Sequence, residues 1–392
     1  MLAARGSDAR SSAPAALLVC DYFLKYTLGL ARGLQQAGCR TTVLGREHAG
    51  EFGGDIAAAR AEIDRRLAAG GDVRLLPGRV RDVRATRDAV TLRRTLADDG
   101  AVVHLQDGVV NDPRLPFVAR TMPGRFALTV HDPVVHPGDR PLAFRKRLAR
   151  TALLRGAAIV FVHGEALADE LRAVTGVRRP IEVVPHGSDP PRVAPLPTRP
   201  SLLFFGRISA YKGLDVLLEA MPSVWAQVPD ARLVIAGEGH LPDHPSLADD
   251  RVTVFNEHVA ESDVPNLFAG SSAVVLPYRQ ASQSGVGAQA KAYGRASIVT
   301  DVGALPELVA DGSGLVVANE QPSALARGAI RLLTDRALAQ HLGSVAAGTA
   351  DSSGGWARVG ALTLEAYRRH RLLAAPGRPT SRAGRRRTRS RS

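Results

Sequence analysis

The sequence predicts an α/β protein made of two doubly wound units that face each other across a cleft. Short apolar, β-rich runs alternate with helical patterns along most of the chain. The alternation stops at one proline-rich stretch and then restarts, and 392 residues exceed the roughly 250–300 that one core usually serves. Open parallel sheets bind ligands at the carboxyl ends of their strands, so two facing sheets would place a site in the gap between them.

The first half contains seven β-rich runs with helical patterns between most of them. The helical pattern of residues 165–176 ends in a glycine, as helices often do. The predicted strands are residues 16–20, 40–45, 72–77, 101–106, 126–131, 158–163 and 181–186. This succession predicts one doubly wound unit over residues 14–190.

A linker is predicted at residues 187–201, where five prolines stand among polar residues without periodicity. After this stretch the strand and helix patterns begin again. The predicted strands of the second half are residues 201–206, 231–237, 251–256, 273–278, 297–300 and 314–318. They predict a second doubly wound unit over residues 198–355.

The net charge of +13 is concentrated at the C-terminus, because residues 376–392 contain seven arginines and no acidic residue. A segment of Pro, Gly, Ser and Arg cannot bury a core, so this basic tail is expected to be disordered. It could contact an anionic membrane surface or nucleic acid, or it could be solvated and without function. The composition favours the solvated tail, and no specific nucleic-acid partner is expected.

The rest of the composition indicates a soluble protein, with 45% hydrophobic and 23% charged residues. No apolar run approaches the roughly 20 residues of a membrane helix. The N-terminal apolar run is interrupted by Pro14 and closed by Asp21 without a small-residue cleavage site, so no signal peptide is predicted. Cys20 and Cys39 are too few for a disulfide framework and lack metal-ligand spacing, which fits a reducing cytoplasm.

The stretch FFGRISAYKGLDVLLEA, residues 204–220, places two cations between a strand and a helix. Gly206 ends the predicted strand and the helix begins after Lys212, so Arg207 and Lys212 fall in a loop at the carboxyl edge of the second sheet. Backbone N–H groups and the positive end of a helix dipole attract an anion at such a loop, and a diphosphate would use both cations. The pattern is equally consistent with Arg207 and Lys212 being ordinary solvated loop residues.

A second glycine cluster, QSGVGAQAKAYG, spans residues 283–294. Gly285, Gly287 and Ala290 match the dinucleotide fingerprint Gly-x-Gly-x-x-Ala, but they follow the fourth strand of their unit, whereas the fingerprint belongs to the first. We expect a helix N-terminus here, where the amides of Ser284, Gly285 and Val286 face phosphate oxygens. Tight helix packing explains the glycines equally well.

The segments GRISAYKGLDVLLEAMPSVWAQVPDARLVIAGEG and LPYRQASQSGVGAQAKAYGRASIVTDVGALPELV, with VVPHGSD before them, resemble the donor half of retaining glycosyltransferases of the GT-B fold. The family is glycosyltransferase family 4 (glycosyl transferases group 1). The likeness runs from about residue 14 to 372 and is highly specific over residues 201–318. It implies two Rossmann-like domains, with a C-terminal helix at about residues 356–374 joined to the first.

The resemblance implies that Arg207 and Lys212 hold the diphosphate of a nucleotide sugar. Other candidates for donor binding are Gly206, Ser284, Gly285, Val286, Gln289, His258 and Val259. Family members carry two glutamates, one at the sugar and one at the ribose, and their positions correspond to Ala281 and Gln289 here. The family's contact to the donor sugar therefore cannot be assigned to a residue of this sequence. The Gln289 amide could still hydrogen-bond a ribose hydroxyl.

In the first half, FALTVHDPVVHPGD resembles the family segment whose histidine contacts the donor sugar, which corresponds to His131. His136 lies outside the matched position. His104 also follows strand residues and is a weaker candidate, and His186 at the hinge is expected to be structural. Asp21, Lys25 and Tyr26 stand where the family has its N-terminal glycine loop, so they are candidate acceptor or donor contacts. A capped first helix would explain Asp21 equally well.

These observations predict an enzyme that moves a hexosyl group from a nucleotide-diphosphate sugar to a hydroxyl of a glycan or lipid-linked acceptor, with retention as the resemblance implies. The sequence contains no Asp-x-Asp pair, which predicts transfer without a metal ion, and no cofactor is expected besides the nucleotide-sugar co-substrate. Envelope or exopolysaccharide synthesis, at the inner face of the plasma membrane, follows from the resemblance alone.

Two other functions stay open on the sequence. The Gly285 cluster would suit a dinucleotide-dependent oxidoreductase or epimerase. The two missing glutamates would suit a homologue that binds a nucleotide sugar without transferring it.

Overall fold

The structure, a computed structural model, consists of two units, each with a parallel sheet covered by helices. It describes residues 13–46, 57, 60–61, 63–64, 72–76, 87, 100–107, 126–133, 144–281, 283–352 and 355–373. The basic tail and His136 lie outside these residues. The predicted fold class is confirmed, whereas the domain boundaries at residues 14–190 and 198–355 stay predictions.

The described residues of the first half form a seven-stranded sheet in the order β3-β2-β1-β4-β5-β6-β7. Its strands are β1 (Ala15–Val19), β2 (Arg40–Arg46), β3 (Asp72–Leu76), β4 (Val102–Gln106), β5 (Phe126–Thr129), β6 (Ile159–Val162) and β7 (Ile181–Val183). The helices described in this half are α1 (Leu24–Gln36), α2 (Phe144–Gly156) and α3 (Glu165–Thr175). All strand pairs are parallel, so all carboxyl ends meet at one edge.

The second half forms a six-stranded parallel sheet in the order β10-β9-β8-β11-β12-β13. Its strands are β8 (Ser201–Phe205), β9 (Arg232–Ala236), β10 (Val252–Phe255), β11 (Ala273–Leu276), β12 (Ala296–Thr300) and β13 (Gly314–Val317). The helices are α4 (Leu214–Gln227), α5 (Val264–Ala269), α6 (Gly285–Ala292), α7 (Leu305–Val309), α8 (Pro322–Thr334) and α9 (Arg336–Ser352), followed by α10 (Trp356–Arg369).

The inner strands are buried because their runs of Val, Ile, Leu and Phe are covered on both faces, whereas the edge strands β3, β7, β10 and β13 are partly exposed. Leu202, Phe204 and Ile235 belong to one apolar cluster of the second sheet, and Leu203 and Val274 belong to the other. Helix α10 returns to the first half, where Trp356 and Tyr367 join the core formed with α1. The chain therefore crosses between the two halves twice.

All thirteen predicted strands are present, and most end one to three residues earlier than predicted. Pro185 and Pro277 lie just beyond the ends of β7 and β11, and proline has no N–H to donate to the next strand. The apolar residues that follow several strands leave the sheet and form loops at its carboxyl edge. These loops build the site described next.

Candidate functional site

The candidate site lies where the order of the second sheet reverses. Strands β8 and β11 are neighbours there, although β9 and β10 intervene in the chain. The loops after two such strands diverge to opposite faces of the sheet, which opens a crevice between them. Residues 206–213 form the first loop, and the described residues 277–281, 283 and 284 belong to the second.

Lys212 and the first turn of α6 approach the same backbone position, Gly206. Gly206 has φ +94°, a conformation that favours glycine, and a Cβ placed there would lie 3.0 Å from Lys212 Nζ and 3.3 Å from Val286 Cγ2. The structure thus brings together three residues that the sequence separates by up to 80 positions.

The Lys212 side chain is only 7% exposed, at the end of a short 3₁₀ helix, Ala210–Lys212. Its Nζ lies 5.3 Å from the centre of the Tyr278 ring, and among the residues the structure describes no carboxylate forms an ion pair with it. Burial lowers the pKa of Lys212, and the charge of Arg207 lowers it further. A buried ammonium without a carboxylate is costly, and an anion beside it would offset that cost.

Arg207 is exposed at the same loop, and its guanidinium hydrogen-bonds the Tyr211 side chain. Burial raises the pKa of Tyr211, whereas the charge of Lys212 lowers it. Arg207 and Lys212 therefore both interact with the Tyr211 side chain, and Arg207 is exposed whereas Lys212 is buried.

The first turn of α6 supplies backbone donors beside these cations. Ser284 caps the helix, because its Oγ accepts a hydrogen bond from the N–H of Gly287 at 3.2 Å. The Tyr278 hydroxyl lies 3.4 Å from the same Oγ, which links Ser284 to the ring beside Lys212. Gly285 is exposed, and a Cβ on it would lie 3.6 Å from His186 Cε1, so the helix N-terminus points toward the other half of the molecule.

Arg279 joins the two loops of the crevice. Its backbone N–H donates to the Tyr211 carbonyl at 2.7 Å, and its Nη1 donates to the Ala210 carbonyl at 2.9 Å. Its guanidinium also binds Asp215 and Glu320. The position of the Lys212 loop relative to α6 is therefore set by Arg279, a residue that the sequence analysis did not select.

The remaining donor-binding candidates lie around this crevice. Gln289 is half-buried on α6, and Ala281, in the loop before α6, is 8% exposed. His258 and Val259 are half-buried in the loop after β10, at the edge of the same sheet. Neither family glutamate position carries a carboxylate.

On the facing sheet, His131 is 1% exposed and is covered by Phe23. The two rings are stacked, with centroids 3.8 Å apart and planes 20° apart. His131 Nε2 donates to Gln106 Oε1 at 2.9 Å, which leaves Nδ1 as an acceptor without a partner among the described residues. Burial lowers the pKa of His131 well below its ordinary value, so the imidazole is neutral.

Of the three candidate contacts after β1, two are buried in the first half and one reaches the second half. Asp21 is buried, and Tyr26 is buried among His131, His163 and His186, with ring centroids 4.7, 5.0 and 5.4 Å away. Lys25 reaches the other half of the molecule and forms an ion pair with Glu261. Of these three side chains, Lys25 is the one that spans the gap between the two halves.

The structure does not bring His104 to the gap. Its Nδ1 is 2.5 Å from the Tyr367 hydroxyl and its Nε2 is 2.7 Å from Thr129 Oγ1. Burial lowers the pKa of His104 to about 3. Strand side chains alternate between faces, and His104 falls on the face that packs against α10, so it is a structural core residue.

Glu307 makes a second contact between the halves that the sequence analysis missed. Its Oε1 accepts from the N–H of Ala166 at 2.9 Å and its Oε2 from the N–H of Glu165 at 3.1 Å, which caps the N-terminus of α3. A carboxylate is favourable at that end of a helix dipole. No local pattern around Glu307 indicates this contact, because its partners lie 142 and 141 residues away.

Within the described ranges, no group of three or more His, Cys, Asp and Glu side chains is arranged to hold a metal ion. Nor does this part of the chain contain a helix with the length and apolar character needed to cross a membrane.

Comparisons with known proteins agree with this geometry. Residues 25–192 match the family described as Glycosyltransferase Family 4, and residues 199–335 match Glycosyl transferases group 1. The chain is 30% identical over 260 residues to D-inositol 3-phosphate glycosyltransferase of Paenarthrobacter aurescens, a match that covers 60% of this chain and 63% of that relative. The chain therefore spans less than two thirds of that relative's length.

Two solved structures share the fold. Sucrose-phosphate synthase from Thermosynechococcus elongatus superposes with a TM-score of 0.66 at 19% identity, over 91% of this chain and 98% of that chain. Anabaena HepE in complex with UDP-glucose superposes with a TM-score of 0.67 at 14% identity, over 91% and 99%. At these identities the likeness concerns the fold. With both halves matched, the chain belongs to glycosyltransferase family 4 (glycosyl transferases group 1) and has the GT-B arrangement of two Rossmann-like domains.

Proposed function

We propose that the protein transfers a hexosyl group from a nucleotide-diphosphate sugar to an acceptor hydroxyl. One observation carries the proposal, namely the buried ammonium of Lys212, which has no carboxylate partner among the described residues and lies beside the N-terminus of α6. A diphosphate in the crevice would receive the charges of Lys212 and Arg207 together with the free amides of that helix. Family membership supports the same reaction class.

These groups would act mainly on the transition state. Negative charge builds on the leaving diphosphate as the glycosidic bond breaks, so fixed donors placed there lower the barrier more than they strengthen ground-state binding. The two cations would make a metal ion unnecessary, and no cofactor besides the nucleotide-sugar co-substrate is required. Anabaena HepE, which shares the fold, was solved in complex with UDP-glucose, and uridine diphosphate sugars are therefore the first donors to test.

His131 is the proposed contact for the donor sugar from the facing domain. Its unpartnered Nδ1 can accept a hydrogen bond from a sugar hydroxyl once Phe23 moves aside. Retention at the anomeric carbon follows the resemblance to the family, with the acceptor hydroxyl attacking the face that the phosphate leaves. The acceptor, a glycan or lipid-linked hydroxyl in envelope or exopolysaccharide synthesis, is proposed on the same ground.

A homologue that only binds nucleotide sugars is the second candidate, because Ala281 and Gln289 replace the two family glutamates. The dinucleotide-dependent alternative has less support. The Gly285 cluster follows β11, the fourth strand of its sheet along the chain, and Gly287 is packed against Leu308 of α7.

The test is a thermal-shift screen against UDP-, GDP- and ADP-sugars, since a ligand that binds only the folded state raises its stability. A donor found in this way is then incubated with hydroxyl acceptors and EDTA, and the product's anomeric configuration is read by NMR. Binding without hydrolysis or transfer would favour the binding-only homologue. Stabilisation by a nicotinamide dinucleotide, with no effect of any nucleotide sugar, would contradict the proposal.

A cytoplasmic location is proposed, and contact of the basic tail with anionic lipid at the inner face of the plasma membrane is the alternative to a solvated tail. Co-sedimentation with liposomes that contain phosphatidylserine, for the full chain and for the chain without residues 376–392, tests it. Equal sedimentation of the two proteins would remove the tail from the proposal.

A further inference from the structure

Helix α2 of the first domain carries large apolar side chains on two opposite sides. Leu153 and Leu154 are each 4% exposed and belong to the apolar cluster on one face of the first sheet. Phe144 and Leu148, in contrast, are 69% and 54% exposed. A surface helix normally has a single apolar stripe, which faces the core. The outward apolar residues of α2 therefore do not serve the packing of the domain.

The exposed residues of α2 share one side of the helix. Phe144, Leu148 and Arg155 fall within about 40° of one another at 3.6 residues per turn. Arg147 is exposed as well and lies about 60° from Phe144 by the same count. The buried Leu153 lies about 180° from Phe144. One exposed surface, the outer face of α2, thus combines two large apolar side chains with two arginines.

The charge around the outer face of α2 is positive. Residues 144–156 contain five basic residues and no acidic one. Arg179 adds a further positive charge at the C-terminal end of the helix, where its Nη2 donates to the Arg155 carbonyl at 2.6 Å. Arg150 is paired with Asp107, with Nη2 2.7 Å from Oδ2. An excess of positive charge therefore surrounds the exposed apolar side chains.

Helix α2 is fixed to the carboxyl edge of the first sheet. The side chain of Arg150 is 13% exposed, and it donates to the carbonyls of Asp132 and Pro133 in the loop after β5. A helix that connects two parallel strands runs back along the sheet, so Phe144 lies at the end of α2 nearest to this edge. The exposed apolar residues are therefore on the side of the first domain that faces the gap between the domains.

We propose that the outer face of α2 docks on an anionic lipid surface. Phe144 and Leu148 would enter the boundary between headgroups and acyl chains, and Arg147 and Arg155 would meet the lipid phosphates. Exposed Phe and Leu beside Arg are typical of helices that lie in this boundary. Each basic residue near an anionic leaflet strengthens binding about five-fold.

Other partners fit the outer face of α2 less well. A second copy of this chain, docked symmetrically, would place the arginines of two helices against each other. A nucleic acid backbone would match the arginines but would offer the two apolar side chains only polar contacts. The proposal extends the function proposed above, since a lipid-linked acceptor would be held in the same bilayer. It uses no residue of the donor crevice or of the basic tail.

The test is the fluorescence of a tryptophan placed in the outer face of α2 of the full chain. The native Trp225 and Trp356 are buried, so brominated acyl chains should quench only a tryptophan that enters the bilayer. Phe144→Trp is the reporter, and Val174→Trp, at a position of α3 that is 56% exposed, is the matched control. We expect vesicles of brominated phosphatidylcholine and phosphatidylserine to quench Phe144→Trp and to leave Val174→Trp unchanged.

Absence of quenching in Phe144→Trp would overturn the proposal, even where the basic tail brings the protein to the vesicles. Equal quenching of both reporters would also overturn it, because insertion would then not be confined to α2. No donor is present in this experiment, so its outcome does not depend on whether the protein binds a nucleotide sugar.

Two variants of the full chain test the apolar and the basic part of the outer face separately. Leu148→Ser should weaken co-sedimentation with phosphatidylserine vesicles several-fold, and Arg147→Ser should weaken it about five-fold. Val174→Ser is the control, and the thermal shift caused by UDP should be unchanged in all three. Wild-type vesicle affinity in both test variants would overturn the proposal. A wild-type dimer in sedimentation velocity that Leu148→Ser dissociates, or loss of duplex DNA binding without loss of vesicle binding, would assign the face to another partner.

Discussion

Arg279 holds both carboxylate oxygens of Asp215, with Nη1 2.8 Å from Oδ1 and Nη2 2.6 Å from Oδ2. Asp215 lies in the first turn of α4, directly after the loop that carries Lys212. We expect Arg279→Gln to let this loop shift and to lower kcat/KM by roughly 10-fold, on the scale of a small misplacement of a binding group. UDP titration and donor hydrolysis would measure the loss.

The matched control for Arg279 is Arg251, which also pairs with an aspartate, Asp249, at 2.7 Å. This pair precedes β10, at the amino end of the sheet and away from the crevice. Arg251→Gln should leave UDP affinity unchanged. If Arg279→Gln and Arg251→Gln lose UDP affinity equally, Arg279 acts only on the general stability of the protein.

Replacing Lys212 should separate stability from function. We expect Lys212→Met to raise the melting temperature of the ligand-free protein, because a buried ammonium without a carboxylate is replaced by an apolar chain of similar length. The same change should lower kcat/KM by roughly 10²-fold or more, as for loss of one transition-state donor. Arg207→Ala should lower it on a similar scale. Intact activity in both variants would contradict the mechanism.

Lys291 provides the contrast for Lys212, because it is paired with Asp311 at 2.7 Å. Lys291→Met leaves that carboxylate without its ammonium and should lower the melting temperature. A higher melting temperature in both lysine variants would indicate that Met stabilises these positions through packing alone.

Phe23 is expected to act as a movable cover over His131. Its backbone has φ +67°, a left-handed conformation that costs a residue with a Cβ about 1–2 kcal/mol. We expect Phe23→Gly to relieve this strain and to expose the imidazole, so that diethyl pyrocarbonate modifies His131 several-fold faster, as peptide mass spectrometry would show. Tyr22→Ala, at a neighbouring side chain that is 45% exposed, is the control. Equal modification rates in all three proteins would disprove the cover.

Glu307 is expected to favour the closed arrangement of the domains. A carboxylate at an exposed helix N-terminus contributes roughly 0.3–1 kcal/mol, so Glu307→Ala should increase the open population a few-fold. Gly164→Ala should act in the same direction, because a Cβ there would lie 2.7 Å from Glu307 Oε2. Small-angle X-ray scattering should show a larger radius of gyration for both variants, with Glu219→Ala on α4 as the control. An unchanged radius would show that Glu307 does not hold the domains together.

Acid should destabilise the protein through its buried histidines. Burial lowers the pKa of His104 and of His163 to about 3, from an ordinary value of 6.5. Below pH 6.5 the unfolded chain therefore binds protons that the folded chain does not, so the free energy of unfolding falls as the pH drops toward 3. At pH 5 each imidazole accounts for about 2 kcal/mol of this loss. Urea unfolding at several pH values would measure it, and a flat profile between pH 7 and 5 would refute it.

Much of the fold could be predicted from local pattern. Buried parallel strands need nearly continuous apolar runs, and such runs, separated by helical periodicity, mark inner strands such as β1, β4, β8 and β11. The loop that carries Arg207 and Lys212 was also predictable. Gly206, Lys212 and the start of α4 are close in the chain, and the end of β8 fixes their place at the sheet edge. These features depend on interactions over a few residues.

Contacts between distant residues were not predictable in this way. His104 and His131 both belong to strand ends with similar patterns, yet one is bonded to Tyr367 in the core and the other is covered by Phe23 near the gap. Which face of the sheet each imidazole occupies depends on strand register and on the return of α10 to the first domain. No pattern around either histidine contains that information.

The sequence by itself determined the two parallel sheets, their helices and the pair of cations after β8, because apolar periodicity and loop chemistry are local properties of the chain. Only the tertiary structure decided that Lys212 is buried without a carboxylate, that Arg279 joins the two loops, and that Glu307 caps a helix of the other domain. The physical reason is that each of these depends on the order of strands in a sheet or on the approach of two domains, which brings together residues up to 142 positions apart.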